Sequence, residues 1–142
     1  MNSVILSTQT KKELHQLGGG VVYLFGSRAQ RVAFHFSDYD VGIVFADFQN
    51  GSKNRNLSTY TKIYDLLQRD IPEIVNGPRL DISFLQNANP GLEMAAIRYG
   101  KVLYESDSRT RANFEENVFQ RYLDYIPLQR AYEEANARAF AR

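Results

Sequence analysis

Two apolar runs, Val21 to Phe25 and Val41 to Phe45, constrain this chain more than anything else in it. The first ends at Gly26-Ser27, and ten residues later Asp38-Tyr39-Asp40 opens the second. Short runs rich in β-branched and aromatic residues, bounded by turn formers, are buried strands. Gly26 permits a tight turn at the end of the first strand. Ser27 is placed to cap a following helix of one or two turns, over Ser27 to Val32, whose free N–H groups face a phosphate.

Side chains alternate along a strand, so Asp38 and Asp40 share one face and Tyr39 takes the other. Two carboxylates at that spacing repel one another unless a cation neutralises them. Magnesium suits the position, because it takes oxygen ligands from one or two carboxylates and completes its shell with water and substrate phosphates. A calcium loop does not fit, since Gly42 and Gln49 stand where the EF-hand pattern wants an oxygen ligand and a glutamate. The plainer alternative is an exposed strand end with two solvated carboxylates. The Gly-Ser turn upstream favours a nucleotide-phosphate and metal site.

Gly26-Ser27, ten residues, then Asp38-x-Asp40 resembles the signature of the DNA polymerase β-type nucleotidyltransferase superfamily. The short chain is similar to its minimal nucleotidyltransferases (MNT), well over Val21 to Glu105 and less distinctively in the flanking helices. The resemblance implies an α/β (α+β) nucleotidyltransferase fold, a short mixed sheet flanked by helices, with C-terminal helices. It also implies a third carboxylate on a strand after the helix that follows the paired aspartates, a place Asp81 occupies; a lone strand aspartate is otherwise a solvated residue or an arginine's partner. Asp38, Asp40 and Asp81 then hold magnesium, two ions by the usual chemistry of in-line displacement, with ATP as donor. Gly26, Ser27 and Arg28 would cradle its phosphates. Relatives often read GSxARG, whereas Gln30 and Arg31 stand at the last two of those positions, so Arg28 or Arg31 takes over any contact made by the usual arginine.

MNT chains of this size resemble the antitoxin half of HEPN/MNT (type VII) toxin-antitoxin pairs. That implies transfer of AMP to a tyrosine of a cognate HEPN toxin ribonuclease. The rival readings are an aminoglycoside-type nucleotidyltransferase, which usually needs an extra helical domain, and an antitoxin that masks its toxin without catalysis.

The remaining sequence fits one domain over residues 1–142, with its catalytic core at about 21–105 and a helical segment at about 107–141. A net charge of +1 implies no broad nucleic-acid or membrane field. Without cysteine there is neither disulfide nor thiolate zinc. The start does not read as a signal peptide and no run reaches membrane-spanning length, so a cytoplasmic enzyme is expected.

Thr10-x-x-Glu13 has capping-box spacing and predicts a short helix ending at Gly18-Gly19-Gly20, glycines that read as a turn. Asp47 to Leu57 reads as a loop. Tyr60, Ile63, Tyr64, Leu67 and Ile71 predict an amphipathic helix ending before Pro72, its aromatic stripe in the core. A strand follows over Arg79 to Leu85. Asn89-Pro90 starts a helix with Leu92, Ala95, Ala96 and Tyr99 on its apolar face, stopped by Gly100, and Lys101 to Glu105 is a further strand. Beyond Asp107 one stripe runs through Phe114, Val118, Tyr122 and Tyr125, and a second segment after Pro127 carries Leu128, Tyr132, Ala135 and Ala139. The arginines of this region read as a solvated face paired to glutamates. His15 and His35 receive no role.

Overall fold

The computed structural model describes residues 4–29, 37–50 and 56–140. Gln30, Arg31, His35 and the end of the turn expected through Val32 lie outside those residues.

Among the described residues, four strands make one mixed sheet: β1 (Gly19–Phe25), β2 (Tyr39–Phe45), β3 (Leu80–Phe84) and β4 (Lys101–Glu105), in the spatial order β3-β2-β1-β4. β1 pairs antiparallel with both β2 and β4, while β2 and β3 run parallel. Parallel strands need a long crossover, and α2 (Leu57–Asp70) lies within this one. The other helices are α1 (Thr8–Gln16), α3 (Pro90–Tyr99) and α4 (Ser108–Phe140).

Alternation along the strands separates two cores. Val22 and Leu24 of β1 with Val41, Ile43 and Phe45 of β2 meet Leu14 of α1 and Ile63 and Leu67 of α2 on one face. Val21, Tyr23 and Phe25 with Val44 meet Met94 and Ala96 of α3 and Phe114 and Val118 of α4 on the other. Gly42 lies on this second face beneath Leu85, whose side chain fills the space a Cβ would need. Tyr23 crosses to α4, donating its hydroxyl hydrogen to Glu115 at 2.9 Å. Burial, ahead of that carboxylate, pushes the phenol far up.

Several expectations shift. The first helix is capped by Ser7, whose hydroxyl accepts from the Thr10 N–H, so Thr10 lies inside α1, fully buried. The chain leaves α1 through Gly18 at φ +86°, but Gly19 and Gly20 already belong to β1. Asn56 caps α2 and Asn89 caps α3, the latter as read from Asn89-Pro90. The buried side of α3 holds Glu93, Met94 and Ala96, whereas Tyr99 is 52% exposed.

The expected break at Pro127 does not occur. α4 runs unbroken for 33 residues with Pro127 inside it. Proline removes one intrahelical bond and crowds the preceding turn; here it sits where both it and Leu123, four residues earlier, are exposed, so water can take up the freed carbonyl.

Candidate active site

The carboxylates meet at the edge of the second face. Phe25, the last residue of β1, stands opposite Asp40 of β2. Gly26 follows at φ +72°, a conformation that L side chains rarely adopt, and any Cβ there would run into the Asp40 Oδ2. Glycine is therefore required twice over, by its torsion and by the carboxylate beside it. A single 3-10 turn spans Gly26–Arg28. Phe25 holds its N-cap position and no side chain caps it, so Ser27 lies within the turn and does not perform the capping role expected of it.

The parallel pairing of β2 with β3 sets Asp40 directly opposite Asp81. Paired residues project from the same face, so Asp38, Asp40 and Asp81 lie on one side of the sheet. The backbone of Arg79 ties the two strand ends: its carbonyl accepts from the Tyr39 N–H at 2.8 Å and its N–H donates to Asp38 Oδ1 at 3.3 Å. Partial burial raises the pKa of Asp40 first, and the charges of Asp81 and then Asp38 add to the shift. Asp40 thus lies within the field of both neighbouring carboxylates. Among the described residues, no three Asp, Glu or His side chains are gathered closely enough to hold a metal ion as they stand. The donor set fits a hard cation nonetheless, because its all-oxygen chemistry is what magnesium takes and the mutual repulsion at Asp40 is what a cation relieves.

Arg28 is turned elsewhere. Its Nε and Nη2 donate to the Ser37 carbonyl at 3.1 and 2.8 Å, and its guanidinium lies 4.2 Å from the Tyr39 ring centroid. Tyr39 projects away from the carboxylates, is 2% exposed, and donates its hydroxyl hydrogen to Glu73 at 3.0 Å. Arg28 therefore holds the two ends of the 29–37 connection together. The Arg79 backbone tie went unread in the sequence, since main-chain bonds between distant strands leave no residue-type signal.

The polymerase beta nucleotidyltransferase family model matches residues 10–109, and the chain belongs to that family. Its fold is that of solved MNT chains. A toxin-antitoxin structure with AMP-PNP superposes with a TM-score of 0.67 at 17% identity, covering 92% of this chain and 99% of that one. A tri-AMPylated Shewanella oneidensis HEPN toxin in complex with its MNT antitoxin gives 0.60 at 14%, covering 91% and 97%. The MntA-HepT toxin-antitoxin structure gives 0.58 at 14%, covering 92% and 99%. Among curated proteins, none matches the chain in sequence. No helix among the described residues is long and apolar enough to cross a membrane.

Proposed function

We propose that this nucleotidyltransferase moves AMP from ATP to a tyrosine hydroxyl of a cognate HEPN-domain toxin, silencing it in the cytoplasm. The observation that carries this reading is the placing of Asp38, Asp40 and Asp81 on one sheet face, beside the positive-φ turn at Gly26. Support for the donor and the acceptor comes from structurally similar complexes, one holding AMP-PNP and one an AMPylated HEPN toxin.

Asp38 and Asp40, with Asp81, are the residues that would hold magnesium, which when bound neutralises charge on the attacking and departing oxygens. The N–H groups after Gly26 and the Ser27 hydroxyl bind the terminal phosphates. The acceptor oxygen attacks the α-phosphorus, the bond to the β-phosphate oxygen breaks, and pyrophosphate leaves. Asp81 receives the tyrosine proton. Positioning and charge stabilisation supply most of the acceleration, as phosphoryl-type transfer asks little covalent chemistry of the protein.

The test is to incubate the protein with magnesium, ATP and the product of the neighbouring gene, and to weigh that product intact. The expected result is a gain of one or more AMP units, absent with Asp38→Ala/Asp40→Ala. A stable complex without mass gain would replace catalysis by masking. Neither gain nor complex would redirect the search to small-molecule acceptors.

A further inference from the structure

Tyr39 stands between Asp38 and Asp40 in sequence but on the other side of the sheet, and three parts of the chain converge on it there. Its hydroxyl donates to Glu73 at 3.0 Å, a residue of the 3-10 segment Pro72–Asn76 between α2 and β3. Its backbone N–H donates to the Arg79 carbonyl at 2.8 Å. The Arg28 guanidinium lies 4.2 Å from its ring centroid and donates twice to the Ser37 carbonyl. The ring itself is buried in the core that includes Ile74 and Leu80.

Arg28 closes the turn that begins at Gly26, and that turn crosses the end of β2. Gly26 lies against the Asp40 carboxylate on one face. On the other, Ala29 packs with the first core and Arg28 grips Ser37 and Tyr39, the residues immediately before Asp38 and Asp40. Neighbouring side chains on a strand point to opposite faces, so a ring locked on one side fixes the directions of the carboxylates on the other. A triphosphate that bridges the turn's N–H groups and a carboxylate-bound ion needs these two halves of the site at one separation. A misplacement of about 1 Å can cost about a hundredfold in rate.

We infer that Arg28 and Tyr39 are positioning residues, a clasp on the back of the sheet that sets the distance between the phosphate-binding turn and the carboxylates. The inference rests on the nucleotide reading of the site and is independent of the acceptor. Arg28 acts through the ring and the Ser37 carbonyl rather than on the phosphates, and Tyr39 acts through Arg28.

Calorimetric titration of the purified full chain with the α,β-methylene analogue of ATP in magnesium tests this without an acceptor, since the α–β bridge of that analogue is not cleaved. The rise in melting temperature with magnesium alone is measured beside it. Arg28→Ala should weaken binding of the analogue about tenfold and keep the magnesium rise, because the carboxylates are untouched. Tyr39→Met fills the same buried space without the ring and should do likewise. Arg28→Ala/Tyr39→Met should lose no more than either single change, as two residues acting as one unit do. Tyr39→Phe keeps the ring and should stay within about threefold of the natural protein. Arg28→Lys, with the charge but without the planar fork, should lose nearly as much as Arg28→Ala, which decides the matter should Tyr39→Met not fold. Unchanged affinity in Arg28→Ala, full rescue by Arg28→Lys, additive losses in the double variant, or loss of the magnesium rise along with the analogue would each overturn the inference. So would a natural chain that does not bind the analogue. A natural chain that binds it, with these losses in the variants, but transfers nothing to the neighbouring gene's product would support the clasp and overturn only the proposed acceptor.

Discussion

The carboxylate of Asp40 occupies the space that a side chain at Gly26 would need. The turn that ends β1 and the acidic residue of β2 are therefore one structural unit, joined through the Phe25–Asp40 register.

Gly26→Ala is accordingly expected to fail on two grounds. A non-glycine residue in the left-handed region costs about 1–2 kcal/mol, and the new methyl must displace the Asp40 carboxylate. Chemical denaturation should show a loss of that size or more, and nucleotide transfer should fall at least about tenfold. Unchanged activity with alanine at this position would separate the turn from the chemistry.

Asp40→Asn should abolish transfer, a loss of about a hundredfold or more, while raising thermal stability at neutral pH without metal. The sign follows from linkage. Burial, Asp81 and Asp38 raise the Asp40 pKa above its unfolded value of 3.8, so the folded protein binds this proton more tightly. The cost of the charged carboxylate is absent below the unfolded value and fully felt above the raised one. Melting curves should show the Asp40→Asn gain near pH 7 and its loss as pH falls toward the ordinary aspartate range.

Magnesium should reverse that cost in the natural protein. At a hundred times its dissociation constant a ligand bound only by the folded state adds about 2.7 kcal/mol. A rise in melting temperature with magnesium, removed by EDTA and missing in Asp38→Ala/Asp40→Ala, is the expected result. An equal rise in that double variant would place the ion elsewhere.

Glu93 and Arg121 should behave as a coupled pair. Glu93 is fully buried; burial pushes its pKa up more strongly than Arg121 pulls it back. Arg121 keeps 39% of its side chain exposed, so solvent brings the loss on removing it below the roughly 3–5 kcal/mol of a fully buried pair, whereas replacing both partners by apolar residues is often neutral. Urea unfolding should find Arg121→Met strongly destabilised and Arg121→Met/Glu93→Leu much closer to the natural protein.

Much of the site was legible because it rests on local signals. The apolar runs marked β1 and β2, alternation set Asp38 and Asp40 on one face, and Asn89-Pro90 marked the start of α3. Asp81 was legible only through the family resemblance; its position opposite Asp40 depends on strand pairing across forty residues. What stayed hidden was mostly non-local. Glu93 looks like an ordinary exposed helix residue until Arg121 is brought to it from α4, and nothing local to Arg28 announces its bonds to the Ser37 carbonyl or its place over the Tyr39 ring. Thr10 shows the opposite failure, a capping-box spacing read from local pattern where the structure instead caps α1 with Ser7, three residues earlier. At Pro127 a sound local rule is overridden by exposure of the turn before it.

The parallel pairing of β2 with β3 divides the chain into parts that tolerate changes of length and parts that do not. β3 enters the sheet at the same end as β2, so any crossover long enough to return there delivers Asp81 to Asp40. Insertions between β2 and α2 should accumulate freely among descendants of this sequence, since loop entropy grows only slowly with length. A single deletion between Arg79 and Asp81 is another matter, because a one-residue slip turns the aspartate toward α1 and α2 and presents an apolar neighbour in its place. Homologous chains should therefore vary widely in the number of residues before α2 and hardly at all in the single residue, Leu80, that separates Arg79 from Asp81.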